Sequence, residues 1–303
     1  MSADLATRIG KLTMKNPVTT ASGTFASGMQ YSEFFELSRL GAVTTKGVSL
    51  EPWRGNDGVR IAESPSGMLN SIGLQNPGVE AFCAGDLAWL SQQGVPIIVN
   101  VSGHSVAEFA AIIERLEEEG SVDAYELNVS CPNVDSGGMT FGTDPAAVAQ
   151  IMAACRKATE RTIIVKLTPN VTDIVSIARA VVDEGADALS LINTLLAMAI
   201  DARTRKAVFN RKVAGLSGPA IKPVALRMVY EVHKAIDVPL IGMGGIACAE
   251  DAIEFILAGA SAVAIGSANF IDPLATIKVI DGIERYLEDN AIGSVSELIG
   301  ALE

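Results

Sequence analysis

Eight short apolar or β-branched runs recur along this chain with helical stretches between them, at residues 18–21, 42–45, 97–99, 125–127, 163–165, 189–192, 240–243 and 263–265. Strands alternating with helices are the pattern of βα units around a parallel sheet, and eight of them predict an α/β fold closed into a (β/α)8 TIM barrel. The helical stretches carry their own punctuation. Ser105 is placed to cap a helix closing near Gly120, Asp144-Pro145 opens another, and Gly185 and Gly259 end two more. Two connections, 47–93 and 194–238, are too long for plain βα loops, so insertions over the C-terminal mouth are expected. No repeat, low-complexity tract or linker divides the chain, which predicts a single barrel domain over residues 1–303.

The composition suits that reading: 303 residues, 49% of them hydrophobic and 19% charged, are enough for a large core and do not suggest disorder. A formal net charge of -12 argues against nucleic acid or an anionic membrane surface as partner, since both reward Lys/Arg patches. The N-terminal residues Met1-Ser2-Ala3-Asp4 do not begin a secretory signal, and no stretch has the roughly 18 uninterrupted apolar residues of a membrane span. A cytoplasmic location is expected. Cys83, Cys131, Cys155 and Cys248 are widely spaced without a C-x-x-C pair, so no metal site is expected and free thiols fit best.

Barrel active sites are assembled at the C-terminal ends of the strands. Here those positions hold Ser22-Gly23, Lys46, Asn100, Asn128, Lys166, Asn193-Thr194, Gly244-Gly245 and Gly266-Ser267. One polar residue or glycine at a strand end means little, but a ring of them points to a site. The glycine pairs after the last two strands sit where barrels form a phosphate site from backbone N–H groups, and together they favour a phosphorylated cofactor. Lys46 and Lys166 add two positive charges across the mouth. A lysine beside the N1–C2 edge of a flavin would stabilise the anionic reduced ring.

The segment Asn128-Val129-Ser130-Cys131-Pro132-Asn133 sets a cysteine between two asparagines just after a buried strand. Asparagine amides offer donors and an acceptor, suited to a ring that alternates C=O and N–H groups, and a thiol beside such a ring can move a proton. The segment fits equally well a small buried thiol, a strand-ending proline and turn-forming asparagines, and alone it leaves both readings open. The first insertion contains Met68-Leu69-Asn70-Ser71-Ile72-Gly73-Leu74, able to form a backbone concavity for a carboxylate with Asn70 reaching toward a ring.

With these motifs on the page, the chain resembles the dihydroorotate dehydrogenases, flavin enzymes that oxidise (S)-dihydroorotate to orotate in pyrimidine biosynthesis. The likeness runs from Ala21-Ser22-Gly23 to Gly266-Ser267 and is most specific in the Asn128–Asn133 and Met68–Leu74 motifs. It implies FMN held by Ser22, Thr45, Lys46, Asn100, Asn128, Lys166, Ile192, Gly218, Gly244, Gly245, Gly266 and Ser267. It implies substrate held by Lys46, Asn70, Ser71, Ile72, Gly73, Leu74, Asn128, Asn133, Asn193 and Thr194. Cys131 would be the general base, taking the C5 proton while the C6 hydrogen passes as hydride to flavin N5. A cysteine base and the lack of an N-terminal membrane segment indicate class 1 of the family.

Within class 1, Leu74-Gln75-Asn76-Pro77-Gly78-Val79 and the glycine-rich residues 135–145 look like the 1B branch. That likeness implies a homodimer of this chain joined to an iron–sulfur subunit carrying FAD and a 2Fe–2S cluster, a heterotetramer that passes electrons to NAD⁺. The chain itself holds neither a cysteine cluster nor a G-x-G-x-x-G nicotinamide fingerprint. Residues 135–142 could act as a lid. Three other readings stay open: a fumarate-dependent 1A enzyme, a dihydropyrimidine dehydrogenase-like flavoenzyme, and a non-redox phosphate-binding barrel. His104 and His233 read as structural, Cys83 and Cys155 as packing residues, Cys248 as a packing residue or one facing a partner subunit, and Trp53 as lid, core or interface.

Overall fold

The structure, a computed structural model of the chain, describes residues 3–130 and 141–303. A hairpin of β1 (Thr7–Ile9) and β2 (Leu12–Met14) comes first. β3 (Val18–Thr20) and β4 (Val43–Thr44) begin the barrel, and the chain then leaves it for β5 (Ile61–Ser64) and β6 (Gly67–Asn70). It returns through β7 (Ile97–Val101), β8 (Ala124–Asn128), β9 (Thr162–Leu167) and β10 (Ala188–Leu191). A second excursion holds β11 (Leu195–Met198), β12 (Ile200–Asp201), β13 (Lys206–Ala207) and β14 (Val213–Ser217). β15 (Leu240–Met243) and β16 (Ala262–Ile265) complete the set.

Eight of these strands form one parallel sheet in the order β3-β16-β15-β10-β9-β8-β7-β4, and they are the eight runs read from the sequence, shifted by one or two residues at some ends. Threonines close the seam between β3 and β4. Thr20 Oγ1 accepts from the Thr44 N–H at 3.0 Å and donates to the Thr44 carbonyl at 3.2 Å, while the Thr19 and Thr44 hydroxyls lie 3.1 Å apart. The helices between strands bury their apolar faces on the outside of this sheet, as Phe109, Ile112, Ile113 and Leu116 do in helix Val106–Glu117. That helix is capped by Ser105, whose hydroxyl accepts from the Glu108 N–H, and Asp144 caps helix Pro145–Ala158 in the same way.

Strand residues alternate between two cores because successive side chains leave a strand on opposite faces. On β8, Tyr125 and Leu127 join the outer core with the helices, while Ala124 joins Ile98, Ile164, Ala188, Ile241 and Ala262 inside the barrel. Ile9, Leu12 and Met14 of the β1–β2 hairpin belong to this inner cluster and plug the bottom of the barrel. By the same parity, Asn100, Glu126, Asn128, Lys166 and Ser190 face inward above the apolar layer.

The two insertions meet over the mouth. β11, β14, β6 and β5 pair in that order into one antiparallel sheet, with Asn70 opposite Gly215 and Leu195 opposite Leu216. Leu69, Phe209 and Ala214 form its small separate core. Among the described residues no helix is long and apolar enough to cross a membrane.

Candidate active site

A cavity of about 300 Å³ opens at the C-terminal end of the barrel, roofed by the inserted sheet. Ser22, Lys46, Asn100, Asn128, Lys166, Ile192, Asn193 and Thr194 line it from the strand ends, and Gly244, Gly245, Gly266 and Ser267 line it beyond β15 and β16. Asn70, Ile72, Gly73, Leu74 and Gly218 reach it from the insertions. Thr45 and Ser71 are not part of the lining. Thr45 is buried behind it, its hydroxyl accepting from the Asn100 N–H at 3.3 Å. Ser71 instead anchors the first insertion, its carbonyl and hydroxyl each accepting from Asn56 Nδ2 at 3.1 Å. Cys131, Asn133 and most of the expected lid lie outside the described residues. Ser130, the last residue before them, lines the cavity.

Backbone geometry explains several of these placements. Gly73 and Leu74 take φ values of 73° and 55°, and the strained Leu74 is held by Asn76, whose Nδ2 donates to the Leu74 carbonyl at 2.8 Å. A Cβ at Gly215 would lie 2.3 Å from Thr194 Oγ1, so only glycine in β14 lets Thr194 sit where it does. At Gly245, with φ 86°, a Cβ would lie 2.9 Å from the Gly218 carbonyl, which ties the two glycine loops together.

The two lysines differ in their surroundings. Lys166 Nζ lies 3.6 Å from Glu126 Oε1, both side chains almost wholly buried, and 3.4 Å from Ser22 Oγ. Lys46 forms no ion pair among the described residues, and burial, reinforced by the charge of Lys166, pushes its pKa below the usual lysine value. Asn100 Nδ2 donates to Glu126 Oε1 at 2.6 Å, which leaves the buried Asn100 Oδ1 without a donor among the described residues. On the other side of the cavity, Asn193 Nδ2 donates to Asn128 Oδ1 at 3.3 Å and to Ser130 Oγ at 2.9 Å. The site thus offers one cation without a counter-charge, several amides and a glycine-lined rim.

Comparison with known proteins agrees with this geometry. The family model for dihydroorotate dehydrogenase matches residues 4–287. The chain belongs to that family. A dihydroorotate dehydrogenase B (NAD(+)) catalytic subunit of Alkaliphilus oremlandii is 56% identical over 299 residues, covering 99% of each chain. Proteins of the same name from Lachnoclostridium phytofermentans and Pelobacter propionicus are 57% and 54% identical, covering 97% and 100% of this chain and 98% and 100% of their own.

One residue beneath this cavity went unread in the sequence. Glu126, only 2% exposed, touches Asn100, Lys166 and Ser190. Its signal was parity: it stands two residues before Asn128 on one strand and therefore shares the inward face. Neither histidine lines the cavity. The His104 ring stacks on Trp53 with centroids 3.9 Å apart, and His233 lies in helix Lys222–Ala235.

Proposed function

We propose that this chain oxidises dihydroorotate to orotate on a bound FMN and passes the electrons to NAD⁺ through a separate electron-transfer subunit. The observation that carries the substrate reading is Lys46, a half-buried cation with no counter-ion among the described residues, in a cavity whose other cation, Lys166, is already paired with Glu126. A ring bearing a carboxylate supplies the missing anion, while Asn70, Asn128 and Asn193 match its imide and amide edges without adding charge. The relatives' name, a catalytic subunit of an NAD(+) enzyme, supports the two-part assembly.

The cavity suits FMN. Gly23 and Gly266 both line it, and a Cβ on Gly23 would meet no protein atom within 4 Å and one on Gly266 only Ala21 Cβ at 3.5 Å. No atom of the described residues fills the space beside Gly23. The unsatisfied Asn100 Oδ1 asks for a donor that a flavin ring provides. Gly244, Gly245, Gly266 and Ser267 would hold the phosphate through backbone N–H groups, and Lys166, Asn100 and Ser22 the ring. Bound there, FMN supplies the two-electron acceptor for the hydrogen lost from C6.

The chain's own residues do the rest. Cys131 takes the C5 proton as the C5=C6 double bond forms, and a thiol of intrinsic pKa about 8.5 is partly ionised near neutrality where a serine hydroxyl is not. Lys46 offsets the carboxylate, and Asn193, braced by Ser130, fixes the ring edge. In the test, the purified chain is denatured to release its flavin for identification, and wild type and Cys131→Ser are mixed anaerobically with dihydroorotate. The expected result is FMN in both, and reduction about 10²–10⁴-fold slower in the variant. A chain that refuses FMN overturns the cofactor reading, and an unslowed Cys131→Ser overturns the base. NAD⁺ reduction by this chain without another subunit would overturn the relay.

A further inference from the structure

A carboxylate buried inside a barrel is costly unless its partners repay it, and a buried ion pair kept only for stability can usually be replaced by apolar side chains at no loss. Glu126 sits one layer below the cavity with both carboxylate oxygens engaged. Oε1 accepts from Asn100 Nδ2 at 2.6 Å and faces Lys166 Nζ at 3.6 Å, and Oε2 accepts from Ser190 Oγ at 2.7 Å. Two of these three partners, Asn100 and Lys166, line the cavity themselves. By accepting from Nδ2, the carboxylate decides which end of the Asn100 amide turns away from it, leaving Oδ1 free as an acceptor. By pairing with Lys166 and not with Lys46, it offsets one of the two positive charges at the site and leaves the other.

We propose that Glu126 is a positioning residue for the flavin: it orients Asn100 and Lys166 toward the ring and tempers the positive potential there, setting how strongly the site favours reduced over oxidised FMN. The inference rests on the FMN reading of the cavity. Positive charge near the ring stabilises the anionic reduced form. Removing the glutamate's charge while keeping its shape therefore leaves Lys166 uncompensated and shifts the balance toward the reduced flavin.

The test is the midpoint potential of FMN on the full-length chain, measured by anaerobic equilibrium with a reference dye, for wild type, Glu126→Gln and Ser190→Ala. Glu126→Gln is expected to favour reduced over oxidised FMN about tenfold, a rise of about 30 mV for a two-electron couple. Ser190→Ala keeps the carboxylate but strips one hydrogen bond from its charge, and should move the potential the other way. It carries the test should Glu126→Gln not fold. Potentials equal to wild type in the folded variants, even with a lower Tm, would make Glu126 a structural residue and overturn the proposal. Failure of wild type to take up FMN would overturn the cofactor reading instead.

Discussion

Replacing Lys46 with methionine keeps the length of the side chain and removes the one cavity cation that has no ion-pair partner among the described residues. The cost should depend on the ligand. Truncating one member of a buried, hydrogen-bonded charge pair costs about 2–5 kcal/mol, and an exposed pair is worth about 0–1 kcal/mol. Lys46 is half-buried, at the end of a barrel strand, with its pKa already lowered by burial. The lower part of the buried range applies, about 2–3 kcal/mol for a ligand carrying a carboxylate, or roughly 30–150-fold in Kd. Uracil offers the same imide without the carboxylate and should lose less than about threefold, since only packing is altered. Titrating FMN-loaded wild type and Lys46→Met with orotate and with uracil, followed by the flavin's absorbance, gives both numbers. Equal losses for the two ligands would refute the pairing and place Lys46 on the flavin alone.

Three further outcomes follow from particular contacts. Because the lowered pKa of Lys46 brings its deprotonation below the ordinary 10.5, orotate should bind fully while the lysine is protonated. Affinity should then fall as pH rises toward that value, and Lys46→Arg should hold its affinity to higher pH. Matching profiles in isothermal titration would contradict this. Tyr125→Phe removes a buried hydroxyl that donates to Glu117 Oε1 at 2.8 Å and should cost about 1–3 kcal/mol in urea unfolding while FMN content stays unchanged. Gly259→Ala puts a Cβ 2.1 Å from His233 Cγ at a φ of 117° and should cost about 2–4 kcal/mol, of which His233→Ala recovers only part, because the Cβ kept at 233 would still lie 2.5 Å away. Full recovery in the double variant would contradict both the close approach to the 233 Cβ and the backbone strain.

The barrel was legible because each of its units is local: an apolar run, a cap such as Ser105 or Asp144, and a glycine such as Gly185 or Gly259 all speak within a dozen residues. The lining of the cavity was legible for the same reason, since Lys46, Asn100, Asn128 and Lys166 all stand at strand ends. The roof was not. β6 and β14 are separated by more than a hundred residues, and nothing local states that Asn70 will pair with Gly215 or that Thr194 will press against that glycine. Glu126 was hidden because a charge between Tyr125 and Leu127 looks like a solvent-facing position of an alternating strand. In a parallel barrel both faces are buried, so its parity with Asn128 pointed inward instead. Thr45 falls on the other side of the same alternation: Lys46 enters the cavity and Thr45 packs behind it.

The central claim, that this cavity oxidises dihydroorotate on its own flavin, is tested most directly by anaerobic stopped-flow mixing of the FMN-loaded chain with dihydroorotate and no other acceptor. The account predicts full bleaching of the flavin's visible absorbance with one orotate formed per flavin reduced. A flavin that stays oxidised while orotate itself binds would contradict it.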